Sequence, residues 1–432
     1  MGADDKRHRL ESLEHENKRL RRAVDELTIL NDLARAIGAS LNSQDIINTI
    51  IRRSLRAVDA EQGVVTLVHD QPSEPTKTLV RTMSDSSEYV AFHLDQSLLG
   101  WMQINKKPLS MKDPHNDPRF RGLKLDASIK SLLCVPMLVK SEIMGVLTVT
   151  NKKSADEFTL EDQRLLAIIA AQSAQIVETA RLYEEEKALG RVKEELRLAS
   201  EIQLGLLPKT TPEIPGYQVA GTSIPAQFVG GDYFDFITID ESRLAICLGD
   251  VSGKGLPAAL LMSNLQATIR GQTILGYSPK RCLENSNRLL YQSTDPHKFA
   301  TLFYGIVDTR NHRLAYSSAG HDWPFLLSEG KDPVRLQAGG LILSVMEDTS
   351  YDEQLVSFSP GDMLVIFSDG ITDAINDHEE QYGEERLLEA LKGWLHLSPA
   401  ELVQELTGAV REFAADRPQM DDMTLVVIKR DK

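Results

Sequence analysis

Four aspartates stand out by their surroundings: Asp232 in VGGDYFD, Asp250 in LGDVSGKG, Asp369 in FSDGITD and Asp421 in QMDDMTL. Each lies beside a strand-like run or a turn. Glycine flanks the first three, which lets backbone approach whatever the carboxylate holds. Carboxylate oxygens without histidine or thiolate partners suit hard cations such as Mg²⁺ or Mn²⁺. Gathered without a cation, such groups would repel one another and raise their pKa values. A single aspartate at the end of a strand is usually a turn former; four in one chain shift the balance toward a metal site.

The stretch GDVSGKG (249–255) also invites a nucleotide reading, and the spacing rejects it. A phosphate-cradling loop reads G-x-x-x-x-G-K-[ST]. Here Gly249 to Gly253 is one residue short, Gly255 stands where the Mg²⁺-binding hydroxyl belongs, and Asp250 would face phosphate oxygens.

The elements that must position these residues follow from periodicity. From about 216 the chain is strand-rich, with strands expected over 242–250, 301–308, 313–320, 362–370 and 423–430. Helical stretches are expected over 256–270 and about 384–415. The first half is mixed: a helix over 46–58, strands over 64–68, 131–139 and 143–151, and a long helix over 158–183. Thr159 and Asp162 form a capping box at the start of that helix. Residues 10–31 step by three and four through Leu10, Leu13, Asn17, Leu20, Val24, Leu27 and Asn31, a short coiled-coil seam. Asparagine at its a positions favours a parallel dimer. A second seam runs through 182–206, with Leu182, Leu189, Leu196 and Gln203 at one heptad position and Val192, Ala199 and Leu206 at the other.

At 432 residues the chain has room for two or three domains, and its formal net charge of −15 disfavours nucleic-acid or anionic-membrane partners. No sequence run matches a membrane span and the N-terminus is too charged for a signal peptide, so a cytoplasmic location is expected. Cys134, Cys247 and Cys282 lie far apart and are read as reduced, buried thiols.

Two resemblances sharpen this reading. DPHNDPRF, LLCVPMLVKSEIMGVLTVTNK and FTLEDQRLLAIIAAQSAQIVETARLYEE resemble a GAF sensory domain. That implies a six-stranded antiparallel sheet with flanking helices and a site for a small-molecule ligand or partner. Cyclic-nucleotide-binding members carry an N-K…F-x-x-x-D-E signature. Asn151, Lys152, Phe158 and Asp162 match it, but Gln163 replaces the glutamate, and cyclic-nucleotide binding is not expected.

The second half resembles the type 2C (PPM) metal-dependent phosphatases of the bacterial SpoIIE/RsbU branch. The likeness lies in ASEIQLGLLP, VGGDYFDF, GDVSGKGLPAALLM, YSSAGHDWPFLL, FSDGITDA and DDMTLVVIK, in that order. It implies an α-β-β-α sandwich with two Mn²⁺ or Mg²⁺ ions. Asp250 would bridge them with help from the Val251 carbonyl, Asp369 and Asp421 would complete one ion, and Asp232 the other. Asp373 would serve an accessory ion, and Asp422 would support the ligands. Lys254 either reaches the phosphate or faces solvent, and His321 is read as structural. The histidine that eukaryotic-type members carry two residues after the bridging aspartate is Ser252 here, and their phosphate-gripping arginine has no counterpart.

The expected architecture is α+β and multidomain: a coiled-coil helix (1–30), a GAF domain (31–180), a helical coiled-coil linker (181–208) and the phosphatase domain (209–432). The expected activity is metal-dependent hydrolysis of phosphoserine or phosphothreonine on a STAS-type anti-sigma-factor antagonist, tuned by the GAF domain in a parallel homodimer. A non-catalytic ligand-sensing scaffold is the alternative.

Overall fold

The structure, a computed structural model, describes residues 13, 16, 43–68, 77–82, 94–120, 123, 125–154, 157–295 and 297–431. The N-terminal seam (10–31) therefore falls outside the described residues apart from Leu13 and Glu16. The chain divides into two units at Gly190/Arg191.

The first unit runs α1 (Ser43–Ala57), β1 (Ala60–Leu67), β2 (Lys77–Thr82), α2 (Gln96–Asn105), β3 (Leu109–Met111), β4 (Leu132–Val139), β5 (Glu142–Lys152) and then α3 (Leu160–Leu204), which continues past the division. Its strands pair antiparallel in the order β2-β1-β5-β4-β3. Alternation along the strands sends side chains to two cores. Val65, Leu133, Val135, Leu147 and Val149 meet Ile50, Ile51 and Leu55 of α1 and Leu166, Ile169 and Ala170 of α3. Val64, Leu132, Cys134 and Val146 meet Leu98 and Met102 of α2. With both faces covered, the strands read as unbroken apolar runs. Five strands are described, against the six of the GAF pattern.

The residues shared with the cyclic-nucleotide signature are occupied in holding this unit together. Lys152 pairs with Asp162 at 2.5 Å and lies 5.9 Å from the centre of the Phe158 ring. Asp162 also accepts from the Thr159 N–H and hydroxyl, while its own N–H donates to Thr159 Oγ1, so the capping box is formed. Asn151, in the left-handed region at φ 57°, accepts from the Lys130 N–H and donates to Glu61 and the Ser128 carbonyl.

Helix α3 is the one described element long and apolar enough to cross a membrane, with a window of mean hydropathy 1.2. That stretch packs Leu166, Ile169, Ala170, Ala174 and Val177 into the first unit's core. Farther along, Leu182, Leu189 and Val192 of the expected seam are exposed. The last heptad departs from expectation: Gln203 is buried, and α3 ends at Leu204, before Leu206.

The second unit carries two sheets. Its elements are β6 (Tyr217–Ile224), β7 (Tyr233–Thr238), β8 (Arg243–Val251), α4 (Leu256–Ile274), α5 (Pro279–Ser293), β9 (Ala300–Asp308), β10 (Arg313–Ala319), β11 (Phe325–Leu327), β12 (Val334–Arg335), β13 (Gly339–Gly340), β14 (Gln354–Ser357), β15 (Met363–Phe367), α6 (Asp369–Thr372), α7 (Gly383–Gly393), α8 (Pro399–Ala414) and β16 (Met423–Arg430). One sheet orders β13-β10-β9-β8-β7 with β14 beside β10; the other orders β12-β11-β15-β16-β6. Between them lie Phe234, Ile246, Leu248, Phe303, Leu364, Ile366, Val426 and Ile428. Residues one step along the same strands face outward. Ala245, Cys247, Leu302 and Tyr304 pack under α4 and α5, and Val365, Phe367, Leu425 and Val427 under α7 and α8.

The helical stretch expected over 384–415 is two helices. Trp394 caps α7, and Ser398 starts α8 with a full capping box to Glu401 and Pro399 in the first turn, where its missing N–H costs nothing. The three cysteines are free and buried, as expected, and burial pushes the Cys134 and Cys282 thiols up to about 12.

Candidate active site

Strand register brings the aspartates to one end of both sheets. In the first sheet Tyr233 pairs with Gly249, so Asp232 just before β7 and Asp250 near the end of β8 are neighbours. In the second, Phe367 pairs with Leu425, so Asp369 just past β15 and Asp421–Asp422 just before β16 share an edge.

The carboxylates interact across the two sheets. Asp232 is 4% exposed and its Oδ2 has no hydrogen-bond partner. Burial first, then the charge of Asp250, pushes its pKa well above the usual range. Asp250 is raised to about 7, by burial and then by Asp369, Asp421 and Asp422. Asp369 is raised by burial, Asp421 and Asp373. The sequence missed Asp322, which burial and Asp369 raise to about 6. A cation would offset the charge of such a cluster.

Small residues bring main chain and carboxylates together here. A Cβ on Gly231 would stand 3.1 Å from both Asp250 Oδ1 and the Val251 carbonyl oxygen. A Cβ on Gly370 would strike the Asp422 carbonyl oxygen at 2.1 Å.

Asp422 has a different task from its neighbour. Its carboxylate accepts from the N–H groups of Ala226 at 2.7 Å, Gly231 at 2.5 Å and Asp232 at 3.4 Å, so it pins the loop that carries Asp232. Its carbonyl accepts from Ser368 Oγ at 3.0 Å, tying the end of β15 to the start of β16. Asp421 instead receives Lys254, whose ammonium stands 2.9 Å from Oδ2 and 2.7 Å from the Met420 carbonyl. Lys254 is thus bonded to the cluster from a half-exposed position at its edge. With Lys254 on Asp421 and backbone on Asp422, no three acidic, thiol or imidazole groups among the described residues are closed into a ready cation cage. The donor set nevertheless fits a hard cation: oxygen ligands only, one of them buried and unpartnered.

Three further positions resolve. Ser252 pairs with Phe299 through its backbone N–H and its Oγ, a structural tie rather than an acid. His321 is buried, with Nδ1 3.0 Å from Thr301 Oγ1, and that hydroxyl accepts from the Asp250 N–H at 3.3 Å. Burial lowers the His321 pKa to about 4, so the ring is neutral and acts as a strut beneath Asp250. Asp373 accepts from Gln381 at 3.1 Å.

The family profile described as Stage II sporulation protein E (SpoIIE) matches residues 240–431, and the GAF domain profile matches 40–178. The phosphoserine phosphatase RsbU of Bacillus subtilis is 32% identical over 244 residues, covering 55% of this chain and 71% of RsbU. The chain belongs to the SpoIIE/RsbU family of protein serine phosphatases. The phosphoserine phosphatase RsbP of the same organism is 25% identical over 189 residues, 42% of this chain and 46% of RsbP. Among solved structures, the SiaA-PP2C domain of Pseudomonas aeruginosa aligns with a TM-score of 0.51 at 21% identity, covering 57% of this chain and 98% of that domain, a likeness of fold. The phosphatase is therefore a hydrolase of a metal-dependent class, joined to a GAF domain. Its SpoIIE match contains Asp250, Asp369 and Asp421 and begins after Asp232.

Proposed function

We propose that the phosphatase hydrolyses phosphoserine on a small protein partner, using two Mn²⁺ or Mg²⁺ ions held by Asp232, Asp250, Asp369, Asp421 and the Val251 carbonyl. One observation carries this reading: a buried, unpartnered Asp232 carboxylate oxygen beside Asp250, in a cluster where burial first and mutual repulsion second raise three of the pKa values. Bound divalent cations supply a water of lowered pKa and offset charge on the phosphate oxygens. The chain's own residues do the rest. Asp422 and Gly231 hold the Asp232 loop against Asp250, Thr301 and His321 fix the Asp250 backbone, and Lys254 keeps a positive charge at the rim. No side-chain nucleophile is needed, and the buried cysteines offer none.

The substrate class proposed is a phosphorylated STAS-type anti-sigma-factor antagonist, from the resemblance to the RsbU branch. Regulation by the GAF domain, a parallel homodimer and a cytoplasmic location complete the proposal; the exposed Leu182, Leu189 and Val192 on α3 support the dimer. Substitution Asp250→Asn or Asp369→Asn should abolish Mn²⁺-dependent phosphate release from a phosphoserine protein while leaving circular dichroism unchanged. Undiminished turnover in either variant would falsify the ligand assignment.

A further inference from the structure

Gln203 lies one residue before the end of α3 and is 7% exposed. Its side-chain amide embraces a single residue. Nε2 donates to the Gly230 carbonyl at 2.6 Å, and Oε1 accepts from the Gly230 N–H at 3.0 Å. One planar group thus satisfies both main-chain polar groups of a glycine that an apolar residue at 203 would leave unpaired. Gly230 is followed directly by Gly231 and Asp232, and those two N–H groups are held from the other side by Asp422. The loop is therefore clamped on both sides. The carrier of Gln203 is fastened in turn, since the Leu206 carbonyl accepts from Gln266 Nε2 of α4 at 3.3 Å and Leu207 packs against the cores on both faces of the first sheet.

We propose that Gln203 is a positioning residue for the phosphatase reaction. It sets where the Gly230–Gly231–Asp232 segment lies and so aims the Asp232 carboxylate at Asp250. This rests on the reading of Asp232 as a cation ligand.

The test compares the full chain with Gln203→Met, which keeps the length and apolar stem but loses both hydrogen bonds. Hydrogen exchange of a peptide spanning 226–232 and calorimetric Mn²⁺ binding are the readouts, with turnover as a third. Exchange over 226–232 should quicken about tenfold while β15 and β16 are unchanged, as expected for losing a buried pair of bonds. The Mn²⁺ dissociation constant should rise about tenfold, with the rate at saturating Mn²⁺ falling much less. Wild-type exchange and Mn²⁺ affinity in the folded variant would overturn the proposal. So would equal acceleration across both sheets, which marks a general stability role. Should that variant fail to fold, Gln203→Glu decides: it keeps an acceptor for the Gly230 N–H, and local exchange no faster than in the parent overturns the role. Failure of the unaltered chain to bind Mn²⁺ would sink the ligand reading of Asp232, and this role with it, before any variant is made.

Discussion

Asp250→Asn should stabilise the phosphatase in the absence of divalent cations and destroy its response to them. Burial and three neighbouring aspartates hold the Asp250 pKa at about 7 in the fold, against about 3.9 in an unfolded chain. The folded state therefore keeps a proton that the unfolded state releases between about pH 4 and pH 7. Stability falls as pH rises through that window, and the full cost stands above it. A displacement of about three pH units corresponds to roughly 4 kcal/mol. Because the carboxylates share protons, about half of that is expected to return on removing one charge. For a unit of this size ~2 kcal/mol moves the midpoint by roughly 4–8 °C. Thermal melts in EDTA at pH 8 should place Asp250→Asn above the parent by that amount, and the two should converge only below about pH 4, where the unfolded carboxyl is protonated as well. Adding Mn²⁺ should raise the parent and leave the variant unmoved. A variant that melts at or below the parent in EDTA at pH 8 would refute the electrostatic account of the site.

Other expectations follow from single contacts. Asp422→Ala strips the acceptor from three backbone N–H groups and should cost about 3 kcal/mol in chemical denaturation; a loss below ~0.5 kcal/mol contradicts the pinning role. His321, held to about 4 by burial, is neutral in the fold but protonates in the unfolded chain below about 6.5. Its contribution is full above that pH and drains away as pH falls toward 4, by roughly 3 kcal/mol. His321→Asn should flatten that part of the stability–pH curve, and an unchanged slope would count against it. Asp162→Ala removes the Lys152 pair and the Thr159 cap and should destabilise the GAF domain by about 3 kcal/mol; an unaltered GAF melting transition would show these contacts to be incidental.

The sequence exposed the parts of the fold in which pattern and burial agree. Strands buried on both faces, such as LLCVPMLV and LAICL, announce themselves as apolar runs. The motif aspartates sit at the ends of such strands, and register then carries them to one edge. What stayed hidden depends on partners distant in sequence. Asp421 and Asp422 are adjacent and chemically identical, yet one meets Lys254 and the other three backbone N–H groups. Asp322 carries no signal of its place in GHDWP, and only the fold buries it within reach of the charge of Asp369. Gln203 fits a heptad as well as any polar residue, and only the fold turns its amide onto Gly230. The break between α7 and α8 was readable: Ser398, Pro399 and Glu401 spell a helix start inside the expected helix.

The most direct test of the metal-site reading is an anomalous difference map at the manganese edge from crystals of the full chain grown in Mn²⁺. Two peaks flanking the Asp250 carboxylate, one also beside Asp232 and the other beside Asp369 and Asp421, are predicted. A map without signal at that end of the sheets, or with manganese bound only elsewhere, would contradict the account.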